Sequence, residues 1–310
     1  MKTSSLVAAL AVTVLAGSMA SAATNVAVFN FQMTSETPEW KWLEKGLADR
    51  IATDFVQDTG LDVVARDRMQ MLAAEMRWVP EMATSDPDRM GKVKKALKIE
   101  YLVTGVYRVT ADGGIHLTGQ IVEVDSRKEV ARKEVEGKAA EVLALQRRLS
   151  AELLAWFSKR TPAEILQRLP VWTRSLPAAR ALYEGMDLYD QGRYAEGWLK
   201  FRQASREDPQ YVEAVYWTGK MYYFLHRYGH ARRMLERFVY LDTAHPRLGD
   251  AMVEYVHTYE ASGASGEDLL ALYGRLAQRF PNARVWQGRE WGHFGDLRSD
   301  LMDQHPEFFA

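Results

Sequence analysis

The segment GMDLYDQGRY at 185–194 and the segment GKMYYFLHRY at 219–228 align at a constant offset of 34 residues. Gly185 falls on Gly219, Tyr189 on Tyr223, Arg193 on Arg227 and Tyr194 on Tyr228; outward, Phe201 falls on Leu235 and Asp208 on Asp242. A fixed period of this length marks a helix–turn–helix unit repeated along the chain. Each match has a packing reason. Gly185 and Gly219 let the first helix of a pair approach the second, Gly197 and Ala231 are the matching small residues, and Tyr194 and Tyr228 fill the inter-helix turn. Pro209 ends the first unit. A degenerate third pair is expected over 247–261 and 267–280, with a longer turn at 262–266 and Pro281 as its stop. Repeat arrays need an atypical end, so this pair and the tail are expected to form the cap. The tail, 285–309, carries Trp286, Trp291, Phe294, Phe308 and Phe309. It is read as packing back on the last unit, with an apolar partner site as the alternative.

Upstream, Pro162, Pro170 and Pro177 mark 161–177 as a semi-rigid linker with a helical turn in it. Before the linker the pattern changes. The run VAVFNF at 26–31 reads as a buried strand, and 39–59 as a helix with Leu43, Leu47, Ile51 and Phe55 on one face. Gly60 stops that helix. A second strand, 61–65, runs into Asp67 as N-cap of a helix at 68–77, and another helix follows at 88–97. Three strand-like runs come next, 99–108, 115–125 and 128–136, joined by Asp112-Gly113-Gly114 and Asp125-Ser126-Arg127. The sheet should be mixed, parallel over its first three strands and antiparallel over its last three. A helix at 139–157 closes the unit, with Val142, Leu145, Leu149, Leu153 and Trp156 facing inward. The expected fold is an α/β mixed-sheet amino-terminal domain (23–160) followed by an all-α solenoid of helical repeats (178–310).

The chain has 310 residues, 40 Lys and Arg against 41 Asp and Glu, and no cysteine. A net charge of −1 argues against a dedicated nucleic-acid binder, which needs a basic surface to neutralise phosphates. The cysteine count removes disulfides, thiolate metal sites and cysteine nucleophiles together. Lys2, the apolar run 6–16 and Ala20-Ser21-Ala22 form the pattern of a cleaved signal peptide over 1–22; the run is too short for a membrane anchor. In Leu15-Ala16-Gly17-Ser18, a serine stands where a lipoprotein box has its lipid-bearing cysteine. The mature chain is therefore expected to be exported and periplasmic, with no transmembrane span, and a place at the periphery of the outer membrane is left open.

The 34-residue period resembles that of tetratricopeptide (TPR) repeats. In the first domain, VAVFNF, ADRIATDF, GLDVVARDRM, ALKIEYLVTGVYRV and IHLTGQIVEVDSRKEV, in this order, resemble the domain shared by the curli-secretion CsgG family and the TolB amino-terminal domain, over about residues 24–138. That resemblance implies a non-enzymatic bacterial envelope protein that assembles with or tethers other proteins. The chain departs from the curli channel in lacking the lipidated cysteine and extra amphipathic hairpins for a barrel.

No HExxH, P-loop, GxGxxG or GxSxG pattern occurs, and no catalytic residue, cofactor or metal is assigned. His226 and His230 lie four apart, but the repeat puts His226 in a turn, so they read as surface histidines. Arg66 and Arg68 follow a parallel strand at the carboxyl edge of the sheet. They are an anion-site candidate set against a plain N-cap at Asp67. The stronger expectation is a groove lined by first helices, with Met186, Tyr189, Asp190, Lys220, Tyr223 and Phe224 gripping a peptide or partner helix; Tyr189 and Phe224 are equally readable as core. Two functions follow: a non-catalytic periplasmic scaffold that binds a protein or peptide through its repeats, or an oligomeric accessory component of an outer-membrane secretion or surface-fibre system. An enzyme at the Arg66 edge is the third and weakest.

Overall fold

Alternating burial builds the sheet. The computed structural model describes residues 24–57, 61–64, 91, 94, 98–242, 244–286 and 291–294. The expected signal peptide, the helix expected at 68–77, most of the helix expected at 88–97, Arg66, Arg68, Phe308 and Phe309 lie outside the described residues. Strands β1 (Thr24–Val28), β2 (Gln32–Met33), β3 (Leu61–Val63), β4 (Tyr101–Val109), β5 (Gly114–Glu123) and β6 (Lys128–Lys138) form a mixed sheet of order β3-β1-β4-β5-β6, with β2 also on β4. Pairing is parallel among β1, β2, β3 and β4 and antiparallel from β4 to β6, as the turn residues imply. Gly113 takes the β4–β5 turn with φ of 83°, a conformation open to glycine at little cost.

Along β5, Ile115, Leu117 and Ile121 point into a core completed by α1 (Leu43–Gln57) and α2 (Val142–Phe157). Leu43, Leu47, Ile51 and Phe55 supply the α1 side of that core; Val142, Leu145, Leu149 and Leu153 supply the α2 side. Trp156 does not join them and is 38% exposed. The inward stripe advances by four residues from Leu153 to Phe157, whose ring meets Phe55 edge-on at 5.8 Å. Trp156 is thereby turned to the rim, against Tyr101.

Residues 161–177, read from their prolines as a linker, contain α3 (Pro162–Arg168), opened by a Thr161–Glu164 capping box, and the start of α4 (Leu176–Asp190). Ile165 and Leu169 bury against the sheet core, and Arg147 of α2 donates to the carbonyls of Leu166 and Leu169. This segment is therefore packed against the first unit.

Three helix pairs follow: α4 with α5 (Tyr194–Glu207), α6 (Val212–Phe224) with α7 (Tyr228–Leu241), and α8 (Leu248–Glu260) with α9 (Gly266–Arg279). The repeated glycines sit where the helices close on each other. A Cβ at Gly185 would stand 2.7 Å from the Phe201 ring, and one at Gly219 would stand 2.9 Å from Leu235. Beyond α9, β7 (Arg284–Trp286) and β8 (Trp291–His293) form an antiparallel hairpin. Val285 and Phe294 bury against the helices, with Phe294 stacked on Tyr273 at 5.3 Å. The described part of the tail thus packs back. Among the described residues no helix is long and apolar enough to cross a membrane.

Candidate partner interface

Helix α1 is buried on two sides, and its second side decides what the repeat face can do. Opposite the Leu43–Leu47–Ile51–Phe55 stripe, it presents Lys45, Gly46, Asp49 and Arg50 to the helix pairs. Gly46 lets the backbone approach the Tyr183 ring, which a Cβ would meet at 2.9 Å. Trp42, just before α1, stacks on the same ring at 5.9 Å and 9°. Lys45 Nζ donates to Asp187 Oδ1 at 2.5 Å and to Asp190 Oδ2 at 2.7 Å, so both acids at the end of α4 are bound to α1. Reversing this charge with Lys45→Glu sets three carboxylates side by side. The expected loss is about 1–2 kcal/mol, read as a lower midpoint in urea.

Farther along α1 lies a buried charged cluster. Arg247, at the start of α8, donates from Nη2 to Asp49 Oδ1 at 3.0 Å. Its Nε lies 3.4 Å from Glu213 Oε2 of α6, an ion-pair distance without hydrogen-bond alignment. His245 Nδ1 accepts from the Arg247 backbone N–H, which leaves Nε2 as the protonated nitrogen, 3.3 Å from Glu213 Oε1. The Trp172 and Phe238 rings close over His245 edge-on, at 4.4 and 4.8 Å. Burial alone would raise the Glu213 carboxyl, but the Arg247 guanidinium and His245 beside it bring it down to about 2. Asp54, also on α1, goes the other way: burial outweighs its pairing with Arg50 and raises it.

The groove residues expected from sequence mostly have partners inside the chain. Met186 is 1% exposed and belongs to the helical core, so it does not line a groove. The physical reason is helical phase: Met186 follows Leu182 by one turn, and both lie on a buried stripe of α4. Asp190 is held by Lys45. Lys220 pairs with Glu254 at 3.0 Å and lies within 6 Å of the rings of Tyr189, Tyr216 and Trp217. Burial pulls its ammonium down, but the Tyr216 phenol and Glu254 outweigh this and hold it well above its ordinary value. Tyr189 and Phe224 meet each other edge-to-face at 5.6 Å and pack, partly buried, against the helical core. Tyr223 is half-buried against Phe224 and Tyr228, and remains open to an outside partner. His226 sits in the turn at φ of 56° with Nδ1 2.8 Å from the Tyr228 hydroxyl, while His230 tilts against Tyr222.

Glu213, His245 and Arg247 went unpicked in the sequence. The signal was present: Glu213 is the lone charge in YVEAVYWTG, 211–219, where a solvated face would show several. A crevice of about 420 Å³ lies beside this cluster, between Val56, Leu61 and Val63 on one side and Pro246, Leu248 and Phe280 on the other.

No family model and no curated protein matches the chain. Among solved structures, it is similar to the LpoB C-terminal domain from Salmonella enterica at 10% identity and a TM-score of 0.27, covering 39% of this chain and 87% of that one. It is also similar to the PelC dodecamer from Paraburkholderia phytofirmans at 17% identity and a TM-score of 0.27, covering 44% of this chain and 89% of that one. A singly substituted PelC dodecamer from the same organism, in a second crystal form, stands at 18% identity with the same TM-score and the same coverage.

Proposed function

We propose that the chain is a non-catalytic scaffold of the bacterial cell envelope, exported to the periplasm, that binds a partner protein through its helix pairs. The pairs are read as a TPR-type solenoid. The 34-residue offset supports this reading, because it carries first helix onto first helix and the close contact of Gly185 with the Phe201 side chain onto that of Gly219 with Leu235. The observation that carries the function is the grip on α1. The first-helix face already holds a helix by stacked rings and paired charges, the means by which such faces take partners.

The runner-up is an oligomeric accessory component of a curli-type secretion or fibre system, assembled through the α/β domain. The edge strand β6 disfavours strand-to-strand assembly there, since Arg132, Lys133, Glu134, Glu136 and Lys138 crowd it with charge.

A photo-crosslinking amino acid placed at Tyr223, in the exporting cell, tests the scaffold reading. One discrete adduct with another envelope protein is expected. Absence of any adduct at Tyr223 removes the reading.

A further inference from the structure

The helix pairs carry a second surface, on their second helices, whose charge departs sharply from the near-neutral whole. Arg202 and Arg206 stand one turn apart on α5, and Arg233 and Arg237 one turn apart on α7. All four line one groove of about 310 Å³, together with His230 and Tyr222, and no carboxylate lines it. Five arginines elsewhere are matched to acids: Arg50 to Asp54, Arg132 to Glu129, Arg180 to Glu184, Arg193 to Glu196 and Arg247 to Asp49. Here they are not. Among the described residues, Arg206 and Arg233 have no ion pair or hydrogen bond, Arg202 lies over the Trp198 ring at 4.6 Å, and Arg237 reaches only the Pro209 carbonyl at 3.5 Å. Four guanidiniums gathered without counter-charges repel one another, a cost that an anionic occupant would remove.

We propose that this groove binds an extended, acidic segment of a partner polypeptide. The inference rests on the reading of the helix pairs as the partner-binding layer and moves the contact from the first helices to the second. Spacing selects the occupant. Arginines four apart on a helix are separated by about 6 Å along its axis, and alternate side chains of an extended chain by about 6.6 Å. Acidic residues at every second position therefore meet one guanidinium per step, each able to take a carboxylate in its two-pronged fork. Tyr222 stands at the other end, with Trp198 at 5.7 Å and His230 at 5.1 Å, an aromatic floor for the peptide backbone and an apolar side chain.

The test uses the full mature chain and a fluorescein-labelled decapeptide alternating Asp and Ser, titrated by anisotropy. Saturable binding that weakens between about 50 and about 200 mM salt is expected. Arg206→Glu with Arg233→Glu, both at exposed positions, should weaken it at least about tenfold. Lys128→Glu with Lys159→Glu makes the same change in net charge elsewhere and should leave it within about twofold. Thermal melts of both double variants establish that they fold. Absence of binding, or equal loss in the two variants, overturns the proposal. So does displacement by inorganic phosphate or polygalacturonate at equal charge concentration, which would mean that the groove reads charge and not an extended polypeptide. Absence of the Tyr223 adduct with an intact titration counts against the scaffold reading alone, and the reverse result against the groove alone.

Discussion

Replacing Arg247 with methionine is expected to destabilise the folded chain by about 3–5 kcal/mol, the largest effect of any single side-chain removal near α1. The substitution keeps most of the volume and takes away a cation that Asp49 and Glu213 share, both of which are buried, at 6% and 5% exposed. Two carboxylates then remain buried with much less positive charge opposing them. Urea unfolding measures the loss, and a second variant separates its cause: Arg247→Met combined with Glu213→Gln should recover part of it, because one stranded charge is gone. A loss below about 1 kcal/mol would mean that water reaches the cluster and screens it.

The same cluster sets a pH dependence. Glu213 is held at about 2, against 4.5 ordinarily, so its contribution is complete above about pH 4.5 and fades as pH falls toward 2. Asp54, raised by burial, acts with the opposite sign, since its protonation on acidification relieves a penalty. Subtraction isolates the Glu213 part. The stability gap between the native chain and Glu213→Gln should shrink steadily between about pH 5 and about pH 3, and a constant gap would contradict the assignment.

Gly105→Ala is expected to cost about 3 kcal/mol or more. Gly105 lies in β4 directly opposite Gly119 of β5, and a methyl group there would overlap the Thr118 carbonyl oxygen and the ring of Phe31, which is 1% exposed. Neither obstacle moves easily, because one is backbone in the neighbouring strand and the other is wedged in the core. Gly229→Ala is the matched control. Its Cβ meets nothing within 4 Å, and the change should be neutral or stabilising by about 0.5–1 kcal/mol. Thermal denaturation of the pair reads the difference directly.

Short-range signals carried most of the architecture. Asp112-Gly113-Gly114 announced the β4–β5 turn, the alternation from Ile115 to Ile121 gave the buried face of β5, and the 34-residue offset placed the helix pairs. What escaped was the pairing of residues far apart in the chain. Nothing in the sequence around Asp190 indicates that Lys45 will bind it, and nothing near Lys220 indicates that Glu254 will. Aromatic and charged residues on a repeat's first helix look the same whether they await a partner or already face a helix of their own chain. Helical phase could have placed Met186, which follows Leu182 by four residues on a buried stripe of α4. The two-sided burial of α1 also left a trace, in the glycine and small residues of EKGLADRIA, 44–52.

Under the proposed scaffold reading, the grip of the first-helix face on α1 also makes α1 a tethered competitor of the partner. Because it belongs to the same chain, its local concentration at that face is of millimolar order. A foreign helix of equal intrinsic affinity would need millimolar supply to displace it, and a cellular partner present at micromolar levels would have to bind about a thousandfold better. A partner that does so would free the second face of α1, so occupancy of the helix pairs would be reported at the sheet that α1 covers.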